Sequence, residues 1–444
     1  MCRTVTFLLT SILAAAAIVR GAESPASAPR PNIILVLSDD VGLGNIHCCG
    51  GAFRTPHIDA LAAGGTRFEY CYSTPLCGPS RCQLLTGRYP HRTGLNTNQS
   101  RDAIHPSREV MIPTVLKKAG YVTASVGKWG QMCLGPGEWG FDEYLVFRAS
   151  GKYWADQAKN AKGYMVNGKP VDLPLDKYLP DVMHQFVADF IARHKSQPLF
   201  VYYPMAHIHA PILRTPDSKP GVDKDQLYAD NVEYMDKLVG KLMEELDRQH
   251  LRERTLVLFT GDNGTARFGV EKATVNGRAI SGQKGTMLEG GSRVPLVVNW
   301  PGVTPAAHVN HDLIDFSDFF ATFVELAGAK LPEGVTLDSR SFAAQIKGEK
   351  GSPREWVYVE LNGKSYVRDS RFKLTNGGAL FDLAEAPFKE VPVAKDTTDP
   401  TAVAARKRLQ AVLDQHPAAP GQDKDKKAAK KQKQRARRKA AAVD

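Results

Sequence analysis

The chain has 444 residues, 43% of them hydrophobic and 24% charged, and a formal net charge of +11. This length accommodates two or three domains with ample core, and the composition excludes collagen-like, low-complexity and wholly disordered classes. The charge is uneven: residues 421–444 hold ten Lys/Arg against three Asp, so most of the excess sits in the tail and the body is nearly balanced.

The chain begins with Arg3 and an apolar run from Val5 to Val19, followed by small residues through Gly21 and Ala22. This pattern predicts a secretory signal peptide over 1–22, and a Ser/Ala/Pro linker follows over 23–30. Later runs are too short to cross a bilayer, so the mature chain is expected to be exported, periplasmic or extracellular. An oxidising compartment permits disulfides among Cys48, Cys49, Cys71, Cys77, Cys82 and Cys133, none of which has the paired spacing of a structural zinc site.

The run from Asn32 to Leu37 is rich in Ile, Leu and Val and reads as a central parallel strand ending in Ser38-Asp39-Asp40. A second apolar run, Thr255 to Thr260, ends in Gly261-Asp262-Asn263-Gly264. Adjacent carboxylates repel unless a cation or a set of donors lies between them. Asp39, Asp40, Asp262 and Asn263 offer hard oxygen ligands for Ca²⁺ or Mg²⁺ at the edge where open α/β sheets bind ligands.

Between these runs, Cys77-Gly78-Pro79-Ser80-Arg81-Cys82 opens a short helix that Gly87 lets the chain leave. Strands at Val122 to Val126 and Leu199 to Tyr203 lead to Gly127-Lys128-Trp129 and to His207-Ile208-His209. Apolar stripes at Val182, Phe186, Phe190 and at Val232, Met235, Val239, Leu242, Leu246 mark core-facing helices. The glycine-rich stretch 282–295 carries Lys284 and Glu289 and precedes a strand at Leu296 to Trp300. The β/α alternation predicts an α/β fold with a large, mostly parallel sheet flanked by helices over 31–346. From 347 to 416, short strands separated by Asn362-Gly363, Asp369-Ser370 and Asn376-Gly377-Gly378, then a helix over 401–414, predict a smaller antiparallel α+β subdomain. The basic stretch 417–444 has no apolar face to bury and is either an inert solvated tail or one that contacts polyanions; a specific nucleic-acid site is not expected.

A cation with nearby Lys and His suits an anion whose charge changes during transfer. Cys77 at a helix N-terminus first suggests a thiolate nucleophile, but a soft sulfur is a poor partner for a cation held by carboxylates.

The segment CGPSRCQLLTGR resembles the sulfatase signature C-x-P-S-R-x-x-x-L-T-G-R, in which the cysteine is oxidised to formylglycine. DDVGLG, GYVTASVGKWG, HIHAP, FTGDNG, GQKGTMLEGGSRVP and NGGALFDLAEAP continue the resemblance in family order, from about Asn32 to the helix before Pro417. It implies an alkaline-phosphatase-like fold and a sulfuric ester hydrolase acting on sulfated small molecules or polysaccharides, carbohydrates foremost. It further implies that Asp39, Asp40, Asp262 and Asn263 bind Ca²⁺, with residue 77 completing the set as formylglycine hydrate and attacking sulfur. Lys284 and His209 would bind sulfate and protonate the leaving oxygen, while Arg81 and Lys128 would hold the side chain of residue 77. A formylglycine-generating enzyme is the implied partner in maturation.

Two positions depart from the family pattern. Gly130 stands where many members have a histidine, leaving His207, His47 or water to take its part, and Asn45 replaces an acid in a loop role. Phosphate or phosphonate ester hydrolysis on the same fold, and non-catalytic binding of sulfated polysaccharide, are the alternatives. Residues that select the substrate are expected in 150–180 and 212–226.

Overall fold

Apolar runs without polar alternation become strands covered on both faces, and β1 (Asn32–Ser38) is buried at every position. The computed structural model describes residues 30–130, 132–147, 153–157 and 164–421. The signal peptide, nearly all of the linker, the tail beyond 421 and much of 150–163 lie outside the described residues.

The other strands of the large sheet are β2 (Thr66–Tyr72), β3 (Val122–Gly127), β4 (Glu143–Val146), β5 (Tyr164–Val166), β6 (Lys169–Val171), β7 (Leu199–Pro204), β8 (Thr255–Gly261), β9 (Arg293–Asn299) and β10 (His308–Asp315). Their order is β10-β2-β9-β8-β1-β7-β3-β4-β5-β6. Five neighbouring strands, β8, β1, β7, β3 and β4, run parallel in register. Where the sequence suggested a strand from Leu296 to Trp300, β9 starts at Arg293 and runs antiparallel to both β8 and β2. Beyond β4, β5 and β6 form an antiparallel edge.

The pleat sends alternate side chains of β1 into two cores: Ile33, Leu35 and Leu37 into one, Ile34 and Val36 into the other. The first core packs under α2 (Cys77–Thr86), α4 (Ile112–Lys118) and α8 (Asp318–Leu326); the second packs under α1 (Pro56–Ala63), α5 (Leu179–His194) and α6 (Lys224–Arg248). Both layers are therefore closed over β1, where truncating Leu35 to Ala would cost about 2–5 kcal/mol. Three short helices, α3 (Pro90–Thr93), α7 (Glu289–Ser292) and α9 (Ala343–Ile346), sit in connections.

A second sheet contains β11 (Val357–Leu361), β12 (Lys364–Arg368), β13 (Phe372–Thr375), β14 (Leu380–Asp382) and β15 (Val391–Val393), all antiparallel and in chain order. Asn362 and Gly363 turn β11 into β12 with φ of 50° and 83°, the left-handed pair that a tight hairpin needs. One face carries α10 (Pro400–Gln415) through Ala405, Leu409 and Leu413. The other face places Val357, Val359 and Tyr366 against Tyr72 and Leu313 of the large sheet. The six described cysteines are free thiols. Among the described residues, no helix is long and apolar enough to cross a membrane.

Candidate active site

Because β1 lies between β7 and β8, its last residues meet the loops that leave both neighbours. Asp39 N donates to His207 O at 2.7 Å, and Asp262 N donates to Ser38 O at 2.9 Å. Asp40 takes a left-handed backbone, φ 63°, and its N–H donates to Asp262 Oδ1 at 3.0 Å. Such a conformation is uncommon outside glycine and is held here by its surroundings. From below the sheet edge, α2 presents Cys77 at its first turn, where Asn98 Oδ1 accepts from Gly78 N at 2.9 Å. Every residue of α2 is buried, and Gly87 ends it with φ 67°.

The structure brings ligand atoms of Asp39, Asp40, Cys77 and His209 within 4.8 Å of one another. Lys128, at the end of β3, pairs with Asp39 Oδ2 and lies 3.8 Å from Cys77 Sγ. Lys284 pairs with Asp40 Oδ1, and His209 Nε2 lies 4.0 Å from Asp40 Oδ2. His209 Nδ1 donates to the Ala210 carbonyl at 2.6 Å, so Nε2 is the nitrogen that faces the cluster.

Asp262 and Arg81 stand behind this group. Arg81 donates through Nε and Nη2 to Asp262 Oδ2 at 3.0 and 2.7 Å, and through Nη1 to Lys128 O at 2.6 Å. Arg81 Nη2 also lies 3.8 Å from Asp39 Oδ1, so its guanidinium bridges two of the carboxylates beside residue 77. A guanidinium fork matches a carboxylate far better than it matches a neutral thiol. Asn263 donates through Nδ2 to Asp40 Oδ1 and to Gly264 O, both at 2.9 Å.

These residues fit a hard divalent cation. Asp39 Oδ1 and Asn263 Oδ1 are buried acceptors without a hydrogen-bond partner, and buried oxygens are rarely left so. Burial and the adjacent Asp39 push the Asp262 carboxyl up, against Arg81, Lys128 and Lys284. Negative charge is thus crowded where a cation would relieve it. Burial also pushes the Cys77 thiol up, with Lys128 opposing and Asp262 and Asp39 reinforcing, which disfavours a plain thiolate.

Neither histidine considered as a substitute at Gly130 joins the cluster. Burial pushes His207 down to about 3; its ring packs beside Tyr153, Tyr178 and Tyr234, with Nε2 3.0 Å from Tyr178 OH. His47 pairs with Asp59 at 2.8 Å, its side chain 67% exposed. Gly130 has φ 90°, and a Cβ there would sit 3.0 Å from Arg81 Cδ, so the backbone itself crowds Arg81. Asn45 has the loop role expected of it, accepting from Gly42 N and Thr265 Oγ1 and donating to Tyr228 OH. Two supporting residues were given no role from the sequence: Ser80, whose Oγ donates to Asp262 O at 2.5 Å and which the C-x-P-S-R signature contains, and Asn98, which no motif marks.

The Lys284 loop packs directly on the Asp262 turn. Gly264 N donates to Gly291 O at 3.0 Å, and a Cβ on Gly264 would meet Gly290 O at 1.8 Å, so only glycine fits.

A largely parallel sheet that gathers acidic, basic and imidazole groups at one set of strand ends, beside a small antiparallel sheet, defines an alkaline-phosphatase-like fold. The Sulfatase family profile matches residues 31–329, and the chain belongs to that family. It is 36% identical to human N-acetylgalactosamine-6-sulfatase over 342 residues, covering 70% of this chain and 65% of the relative, so it spans about two thirds of that relative's length. Bovine arylsulfatase A is 32% identical over 462 residues, covering 89% of this chain and 90% of the relative. The crystal structure of Ps i-CgsB in complex with k-i-k-neocarrahexaose superposes with a TM-score of 0.74 at 28% identity, covering 89% of this chain and 96% of that one. The phosphonate monoester hydrolase SpPMH from Silicibacter pomeroyi shares the fold, with a TM-score of 0.65 at 19% identity and coverage of 87% and 95%.

Proposed function

We propose that the chain hydrolyses sulfate esters of carbohydrates to alcohol and inorganic sulfate, with residue 77 as the nucleophilic position after conversion to formylglycine. The observation that carries this reading is the meeting of Cys77 with Asp39, Asp40 and His209 within 4.8 Å, flanked by two lysines. The family match and the relatives named as sulfatases support it, and the oligosaccharide bound to Ps i-CgsB supports a sulfated saccharide as substrate. Formylglycine would supply an oxygen nucleophile, and a Ca²⁺ or Mg²⁺ ion held by Asp39, Asp40, Asp262 and Asn263 would supply charge for the sulfate oxygens.

The chain's own groups divide by exposure. Asp39 and Arg81 side chains are 0% exposed, whereas Lys284 and His209 are 17% and 26% exposed, so the ester meets these two first. Lys284 binds a sulfate oxygen by charge, and His209, as the imidazolium, gives its Nε2 proton to the leaving oxygen and keeps Nδ1–H on Ala210 O. Lys128, 3.8 Å from Cys77 Sγ, steadies charge on residue 77. Arg81 keeps Asp262 in place by two donors on one oxygen.

Export to the periplasm or beyond, maturation by a formylglycine-generating enzyme, and polyanion contact by the basic tail accompany this proposal. The test pairs sulfate and phosphate esters of one alcohol, then a panel of sulfated saccharides, with wild type and Cys77→Ala. Sulfate turnover lost in Cys77→Ala is the expected result. Preference for the phosphate ester would move the assignment to the phosphatase side of the fold. An aldehyde at position 77 without any turnover would leave a binder of sulfated sugar.

A further inference from the structure

Lys284 stands on a loop, 281–291, that closes on itself where Gly290 N donates to Ser281 O at 2.7 Å. One side of the loop is fixed to the catalytic edge: Lys284 N donates to Thr265 O and Gly285 N to Pro75 O, both at 2.9 Å. The other side is gripped from the small sheet. Lys373 of β13 donates through Nζ to Met287 O at 2.5 Å, and Glu390, between β14 and β15, accepts from Glu289 N at 2.9 Å. Lys373 and Glu390 also pair with each other at 2.9 and 2.7 Å, their side chains 2% and 3% exposed. Ser281 N adds a bond to Pro387 O at 2.8 Å in the same connection.

A buried ion pair is a weak source of stability, because desolvation offsets most of the attraction, and apolar packing would hold two sheets together as well. What this pair does that packing does not is direct one donor at a carbonyl and one acceptor at an amide, three and five residues after Lys284. Those two bonds fix the loop's backbone in register. Resting on the reading of Lys284 as the sulfate-binding lysine, we propose that Lys373 and Glu390 are positioning residues that set Lys284 for the incoming ester. The small sheet thereby becomes part of the catalytic apparatus.

The test is a double-mutant cycle on the matured full chain with an aryl sulfate, reading kcat, KM and inhibition by inorganic sulfate. Lys373→Met and Glu390→Met should each lower kcat/KM by about 10- to 100-fold, as small misplacements of a binding group do, and weaken inhibition by sulfate. In a Lys284→Ala background the same changes should cost less than about twofold, because their effect passes through the lysine already removed. Lys373→Arg, which keeps the charge and donors, should recover much of the loss. Equal losses in both backgrounds, or no loss at all, would overturn the proposal. Should either Met variant fail to fold, the other completes the cycle alone, and Glu390→Gln, which keeps an acceptor for Glu289 N, should recover much of the loss as Lys373→Arg does. Full activity in Lys284→Ala would instead refute the role of Lys284 itself, a distinct outcome.

Discussion

The catalytic edge of the large sheet and the contact between the two sheets bury comparable amounts of charge, yet they treat it in opposite ways. At the contact, Glu289 receives Tyr72 OH at 2.8 Å and faces Arg293 and Arg368 at 3.5 and 3.7 Å. Burial pushes its carboxyl up, but Arg368, Arg293 and Lys373 outweigh that and hold it low. At the edge, Asp262 is equally buried, and burial with Asp39 wins over its cations. In the first region the cations prevail and keep Glu289 ionised, although its Oε1 also lacks a hydrogen-bond partner. In the second, Asp39 Oδ1 and Asn263 Oδ1 come together from two strand ends without a hydrogen-bond partner, beside an Asp262 carboxyl whose charge is opposed, which is the condition of a site built for a ligand.

This contrast is open to direct attack. Asp40→Asn, or chelation of the wild type, should lower sulfate-ester turnover by about 10²-fold or more, and added Ca²⁺ should restore the chelated enzyme but not the variant; unchanged turnover would remove the metal from the account. At the contact the same kind of change should act on stability. Arg354→Met leaves Asp318, which Arg354 Nε meets at 2.6 Å, as a buried unpaired carboxylate; denaturant unfolding should show a loss of about 3–5 kcal/mol while metal affinity stays put.

A smaller effect is expected at Gly130. Gly130→Ala places a Cβ on a left-handed residue against Arg81, and should cost about 1 kcal/mol or more on thermal unfolding. For the same reason Gly130→His should not act as a gain of function; improved turnover in that variant would show that the backbone there adapts freely.

A further effect concerns pH and the small sheet. His416, beside Trp356, Tyr358 and Tyr89, is pushed down to about 4 by burial, with Asp338 opposing and His91, Arg92 and Arg354 adding. The unfolded chain takes up this proton near 6.5 and the folded one only near 4, so stability is lost as pH falls through that window. His416→Phe should lose less stability between pH 6.5 and 4 than wild type. Parallel curves for the two proteins would assign the acid sensitivity elsewhere.

The sequence makes the strands of the catalytic edge visible for a simple reason. β1, β7 and β8 are buried on both faces, so they read as unbroken apolar runs, and the functional residues follow at once after them. The outer strands are harder to see: β2 alternates with Arg67 and Glu69, and β10 opens with His308, Asn310 and His311, so neither stands out from a loop. Direction is likewise hidden, and β9 ran antiparallel because pairing with β2 and β8 is a tertiary matter. The residues Asp39, Asp40, Lys128, His209 and Lys284 were legible as strand-end chemistry. Lys373 and Glu390 were not, since they reach the Lys284 loop from 86 and 101 residues away and carry no motif of their own.

The most direct measurement titrates aldehyde at residue 77 with a carbonyl-reactive probe and compares its stoichiometry with sulfate-ester turnover across preparations matured to different extents. Turnover proportional to aldehyde, with none in Cys77→Ala, is the predicted result. Undiminished turnover in preparations that carry cysteine at position 77 would contradict the account.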